Sequence, residues 1–239
     1  MDESDANAIS SLKLKSLQLF NIGNDDPQTW LQLFSSSRMK HLLDLQLINC
    51  NFINESVLNS ITSNCHNLTS LNLEMSWFED HYGLVSIGNL KNLKRIRSYC
   101  AYPNFDDDLV SLFSALKQLT EIRICAYCPQ FNEEVIEKIV ENNPKLETLE
   151  IQWYKPDHGL VPLRKLAFLS TLHLCNIQNV PKSEFEKLFE NCPFEVLKYL
   201  KLEKLNDDQD LAKYVCTLKA NNYFVKPSCN IIGTIDIGS

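Results

Sequence analysis

The sequence predicts an α/β solenoid, a horseshoe of about eight strand-helix repeats with a parallel sheet on its concave side. Three observations predict it. A pattern L-x-x-L-x-L recurs along most of the 239 residues. Its starts at Leu14, Leu42, Leu68, Leu93, Leu119, Leu146, Leu169 and Leu197 lie 28, 26, 25, 26, 27, 23 and 28 residues apart. Between copies the apolar spacing changes from alternation to three and four, the spacing of an amphipathic helix.

The copies read LKSLQL, LLDLQL, LTSLNL, LKRIRS, LTEIRI, LETLEI, LSTLHL and LKYLKL. Apolar residues at the fourth and sixth positions, with mostly polar ones between, describe a short strand with one buried face. Ahead of the first copy, Asp5 to Ser11 reads as a short helical fragment, and the edge at Leu14 to Leu19 is expected to be poorly covered. Asn54-Glu55-Ser56 then opens a helical set, Val57, Leu58 and Ile61. Asp106 to Asp108 opens Leu109, Leu112, Phe113 and Leu116, and Asn132-Glu133-Glu134 opens Val135, Ile136, Ile139 and Val140. Asn or Asp can accept bonds from the free N–H groups of a first turn, and acidic residues there suit the helix dipole. The units IRSYCAYPNFDDDLVSLFSALKQL and IRICAYCPQFNEEVIEKIVENNPKL align, with Phe105 over Phe131 as buried positions. Gly83, Gly88, Gly159 and Pro162 interrupt repeats 3 and 6, whose outer segments are expected to be short or irregular. After Leu205 the pattern stops. Asp207-Asp208 leads into LAKYVCTLKANN, so residues 1–205 read as the solenoid and 206–239 as a capping helix and tail.

With 44% hydrophobic and 22% charged residues the chain can bury one sizeable core. A net charge of -7 and a pI near 5.3 provide no overall positive field, so neither nucleic acid nor a membrane surface is an expected partner. The nine cysteines are an odd number, and the start MDESDANAIS lacks an apolar signal core. Reduced thiols in cytoplasm or nucleus are expected, and sequons at Asn54 and Asn67 are read as coincidental. No run approaches the roughly 20 apolar residues of a membrane span.

The segments NCHNLTSLNL (Asn64 to Leu73), NNPKLETLEI (Asn142 to Ile151) and LLDLQLINCNFINESVL (Leu42 to Leu58) resemble the cysteine-containing leucine-rich repeat. Cys65 stands three residues before the strand leucine, where that repeat type has cysteine, and Cys50 closes a strand. NCPFEVLKYLKL (Asn191 to Leu202) is similar. Met39, Leu90, Leu116 and Leu166 take the leading cysteine position elsewhere. The repeat type is that of the F-box/leucine-rich-repeat, or RNI-like, proteins, and the resemblance covers roughly residues 12–205. It implies a leucine-rich-repeat solenoid that recognises substrates for a ubiquitin ligase, with ligase components as possible partners. The helical F-box of that family has no counterpart before Leu14.

For catalysis or cofactors the residues offer little. Cys125-Ala126-Tyr127-Cys128 is a CxxC, but no second pair stands at zinc spacing, and buried packing of these cysteines is the stronger reading. The histidines, His41, His66, His81, His158 and His173, are scattered, and no G-x-S-x-G, phosphate loop or HExxH accompanies them. No enzyme activity, cofactor or metal is expected.

Outward strand positions are more informative. They place Arg95, Arg97, Glu121, Arg123, Glu150 and His173 on the middle of the concave floor, with Arg97 beside Arg123 and bordered by Glu74, Glu121 and Glu150. Three arginines there could grip a carboxylate or phosphate through forked hydrogen bonds, or the charges could simply neutralise one another. Aromatic residues follow the same strands: Trp77, Phe78, Tyr99, Tyr102, Tyr127, Trp153 and Tyr154. The expected function is protein binding by a monomer through Arg95, Arg97, Tyr99, Glu121, Arg123, Glu150, Trp153 and His173. A regulator of a small GTPase or hydrolase, or a scaffold outside the ubiquitin pathway, is the alternative.

Overall fold

A computed structural model describes residues 3–23, 26–50, 53–74, 83–100, 106–126, 132–152, 159–175, 181–190, 196–203 and 230–231. Every L-x-x-L-x-L copy forms a strand: β1 (Ser16–Phe20), β2 (Asp44–Ile48), β3 (Ser70–Leu73), β4 (Arg95–Cys100), β5 (Glu121–Ala126), β6 (Thr148–Gln152), β7 (Thr171–Cys175) and β8 (Tyr199–Glu203). They pair in parallel and in strict chain order, and β9 (Asn230–Ile231) adds beside β8. The register places equivalent leucines side by side, as in Leu17, Leu45, Leu71, Ile96, Ile122, Leu149, Leu172 and Leu200. These line one continuous core, because a single repeat cannot cover its own apolar face.

The outer layer holds α1 (Glu3–Ser10), α2 (Pro27–Ser35), α3 (Glu55–Asn64), α4 (Gly83–Ser86), α5 (Asp106–Ala115), α6 (Glu133–Asn142) and α7 (Lys182–Phe189). The expected caps form. Asn54 Oδ1 accepts the Val57 N–H at 2.9 Å, and Asn132 Oδ1 accepts the Val135 N–H at 3.1 Å. α2 starts on the Asp26 carboxylate with Pro27 in its first turn, and it buries Trp30, Leu33 and Phe34. Repeats 3 and 6 are short outside, as expected. α4 has 4 residues before a 3-10 turn over Ile87–Asn89, and among the described residues repeat 6 has only a 3-10 segment outside the sheet, Val161–Lys165.

The glycines there do more than weaken helices. A Cβ on Gly83 would stand 2.8 Å from Leu58 Cδ1, and one on Gly88 would stand 2.7 Å from Ala115 Cβ. Both let a thin repeat sit close to its neighbours.

At the N-terminal end α1 covers the helix side, with Ala6 fully buried. Gln32 Nε2 donates to Asn7 Oδ1 at 3.1 Å, and Ser36 Oγ donates to the Ser10 carbonyl at 3.1 Å. The sheet side ends on β1, whose Ser16, Gln18 and Phe20 are exposed. The predicted capping helix at LAKYVCTLKANN lies outside the described residues.

β1 and β2 leave the sheet by sharp turns. Asn21 and Asn49 adopt left-handed backbone (φ 55 and 54), which asparagine tolerates better than most residues. Asn49 Nδ2 donates to Asn21 Oδ1 at 2.9 Å, tying one turn to the next. Cys50 sits beneath them, its thiol directed at the carbonyls of Leu19 and Ile48. Burial raises its pKa against the lowering effect of backbone bonds near Ile22 and Ile48, and burial pushes the Cys65 thiol up to about 12. Met39, Leu90, Leu116 and Leu166, which replace that cysteine in other repeats, are buried too.

Candidate functional site

Parallel pairing in register converts a sequence position into a row across the sheet. The middle concave row runs Gln18, Gln46, Asn72, Arg97, Arg123, Glu150, His173. The row nearer the strand starts contains Arg95 opposite Glu121. Arg97 and Arg123 are thus direct neighbours, as the strand pattern requires.

Their guanidinium groups converge on one carboxylate. Glu121 Oε1 accepts from Arg97 Nε at 3.0 Å, from Arg97 Nη2 at 2.8 Å and from Arg123 Nε at 2.7 Å. Arg123 Nη1 also donates to Glu150 Oε2 at 3.1 Å. On its other oxygen Glu150 accepts from Gln152 Nε2 at 3.1 Å and faces His173 Nδ1 at 3.1 Å. The result is a chain of alternating charge across four strands. The two glutamates lie low (16% and 19% exposed), whereas the arginines stand above them (38% and 39% exposed). The arginine side chains therefore form the more accessible layer.

Glu74 does not join this chain. Its Oε2 accepts from Asn72 Nδ2 at 3.0 Å, and its own N–H donates to Asn72 Oδ1 at 2.9 Å. Arg95 is exposed and makes no ion pair among the described residues. Tyr99 lies on β4 in register with Cys125 on β5. Trp153 lies outside the described residues, as do Trp77, Phe78, Tyr102, Tyr127 and Tyr154. Cys128 of the CxxC is outside them as well, and among the described residues no group of three His, Cys, Asp or Glu is placed to hold a metal.

No protein family and no curated protein matches this chain. Among solved structures it is similar to internalin C2 (InlC2) of Listeria monocytogenes str. 4b F2365. That alignment covers 98% of this chain and 84% of the internalin, with a TM-score of 0.53 and 18% identity. The internalin InlF of the same organism aligns over 85% of this chain and 60% of its own length, with a TM-score of 0.47 and 19% identity.

The fold is a leucine-rich-repeat solenoid. At 18% identity the likeness is one of fold, and the solenoid's chemistry has to be read from its own side chains.

In this leucine-rich-repeat solenoid the His173 hydrogen bond is the largest influence on Glu150. It outweighs the opposing effect of burial and, with Gln152 and the charges of His173 and Arg123, holds the Glu150 carboxyl at about 2. At Glu121 burial acts to raise the pKa, but hydrogen bonds and charge from Arg97 and Arg123 together lower it. A carboxylate with a depressed folded-state pKa stabilises the fold above its ordinary value and ceases to do so as pH falls. For Glu150 that window runs from the ordinary 4.5 down to about 2. Allowing for solvent screening, the loss across it is about 1 to 2 kcal/mol. Urea midpoints at pH 5, 3 and 2 should therefore fall less steeply in Glu150→Gln than in the parent. Parallel falls would show that the pair contributes nothing.

Gln152 was not singled out from sequence. Its signal is its position two residues beyond Glu150, which puts both on the same face of β6.

Proposed function

We propose that the solenoid is a protein-binding module and that its partner docks on the concave face of repeats 4 to 7. The observation that carries this reading is the row of arginine forks over half-buried glutamates. Both arginines are already oriented by Glu121, so little side-chain freedom is lost when a partner carboxylate adds to their unused N–H groups. Arg95, exposed beside them, adds a cation without a counter-charge among the described residues. His173, Tyr99 and Trp153 complete the proposed contact set. Capture of native partners by immobilised protein tests it. Arg97→Glu should weaken capture by about 1 to 3 kcal/mol while the melting curve moves little. Recovery of the same proteins at undiminished yield would refute the site.

The finer reading is a substrate receptor of the F-box/leucine-rich-repeat type. It rests on Cys50 and Cys65, buried where that repeat type has cysteine. Such a receptor works in a reducing compartment, cytoplasm or nucleus, which suits the buried thiols of Cys50, Cys65 and Cys175. Co-purification of a cullin and its Skp-type adaptor would support that reading. Their absence beside a captured partner would favour a scaffold outside the ubiquitin pathway.

A further inference from the structure

The segments that enter the strands form a rim along one side of the solenoid. Backbone bonds carry the sheet register into them: Thr69 N–H to the Leu43 carbonyl, Lys94 N–H to Thr69, Thr120 N–H to Lys94, Glu147 N–H to Thr120, and Lys198 N–H to Ser170. Successive rim residues are thus set at the strand spacing, about 4.8 Å.

This rim is cationic although the chain carries 30 acidic residues against 23 basic ones. Lys15, Lys40, Lys94, Lys117, Lys145 and Lys198 all stand exposed on it. Glu147 is the one acidic residue in the described rim segments. None of the six lysines forms an ion pair among the described residues. Acidic residues gather instead at the helix starts across the repeat, as with Asp26, Glu55, Glu133 and Glu134. Helix dipoles favour Lys117 beyond α5 and Lys145 beyond α6. They do not account for Lys15 or Lys94, which stand directly before a strand.

Two further features mark the rim. A cavity of about 390 Å³ opens between repeats 4 and 6, with Lys94, Lys117 and Lys145 around it and Leu119 and Pro144 in its wall. Further along the same rim stand Leu12 and Leu43, in repeats 1 and 2, and Phe168 and Val196, in repeats 7 and 8, four of the six large hydrophobic residues exposed among the described residues. Lysines run the length of the rim, the cavity's three lie at its centre, and apolar side chains stand among those toward both ends, which suits a ligand carrying carboxylates between hydrophobic anchors.

We propose that this rim is a second docking surface, and that it takes an extended acidic segment of a partner protein. Carboxylates lie on Lys94, Lys117 and Lys145, and flanking apolar side chains lie against Leu43 and Phe168. The recessed cavity favours a discrete side chain over a fluid lipid surface. Five strand steps, from Leu43 before β2 to Phe168 before β7, span roughly 24 Å, the reach of about seven extended residues.

The test uses the intact protein and a fluorescein-labelled peptide of about 12 residues, rich in glutamate with a leucine near each end. Fluorescence anisotropy should show saturable binding that weakens as salt rises from about 0.05 to about 0.3 M. The triple change Lys94→Glu, Lys117→Glu and Lys145→Glu should weaken it at least about tenfold. Lys138→Glu, on the helix side, should leave it unchanged, as should Arg97→Glu on the concave floor, so this proposal and the concave-face reading fail separately. The neutral triple change to glutamine must give the same direction, which keeps the result independent of any folding defect in the first variant. Absence of saturable binding, or binding by both triple variants undiminished from the parent's, overturns the proposal. So does tighter, lysine-dependent binding of a single-stranded oligonucleotide or of phosphatidylserine vesicles.

Discussion

Replacing Asn143 by leucine is expected to destabilise the array by about 3 kcal/mol, although the two side chains share the same heavy-atom branching. Asn143 is 1% exposed. Its Oδ1 accepts the Leu119 N–H at 2.7 Å, and its Nδ2 donates to the Ile139 carbonyl at 3.1 Å. The first bond joins repeat 6 to the start of repeat 5, and the second closes α6. Leucine fills the space but leaves the Leu119 N–H buried without its acceptor, which incurs the full desolvation cost of that group. In a chain of this size the loss corresponds to a fall in melting temperature of roughly 6 to 12 °C. Urea titration should show a lower midpoint at unchanged slope, since the surface exposed on unfolding does not change. A midpoint equal to the parent's would mean that the Leu119 amide finds another partner.

Gly159→Val should cost about as much, for a different reason. Gly159 has φ +124, a backbone conformation that side-chain-bearing residues rarely adopt, and a β-branched residue tolerates it worst. A Cβ there would also stand 2.8 and 2.9 Å from Glu133 Cβ and Cγ, and 3.0 Å from Glu133 Cα. Together, strain and overlap imply a loss of about 3 kcal/mol. The two parts can be separated by adding Glu133→Ala, which removes Cγ but neither Cβ nor the backbone. Partial recovery of the melting temperature is expected. Complete recovery would show that overlap, and not conformation, sets the requirement for glycine.

Much of this architecture can be read from the chain because its period is short and its leucines are placed by geometry. The L-x-x-L-x-L copies mark β1 to β8, and Asn54 and Asn132 mark two helix starts by the chemistry of capping. Neighbours across the sheet are equally legible, since a parallel register makes Arg97 face Arg123 and Glu150 face His173. What the outward positions do not reveal is how far each side chain leans. Glu121 reaches diagonally to Arg97 and along its own strand to Arg123, and Glu74, two residues beyond Asn72, turns back to that asparagine instead. Asn143 escaped notice because Asn-Asn-Pro reads as a turn, whereas it fills the place that Cys65 takes in repeat 3. The lysine rim escaped for a different reason. Net charge averages over the whole chain, while the rim collects lysines from six of the eight repeats, each within two residues of its repeat's leading leucine.

The strict β1 to β9 order has a mechanical consequence. Nearly every contact that holds a repeat comes from the repeats before and after it, so the array behaves like a stack of coins more than a ball. Damage at one joint does not spread inward to a shared centre. It divides the stack, leaving two shorter piles that each gain a raw end, and a lesion near the middle, such as one at Asn143, leaves neither pile long enough to spare another.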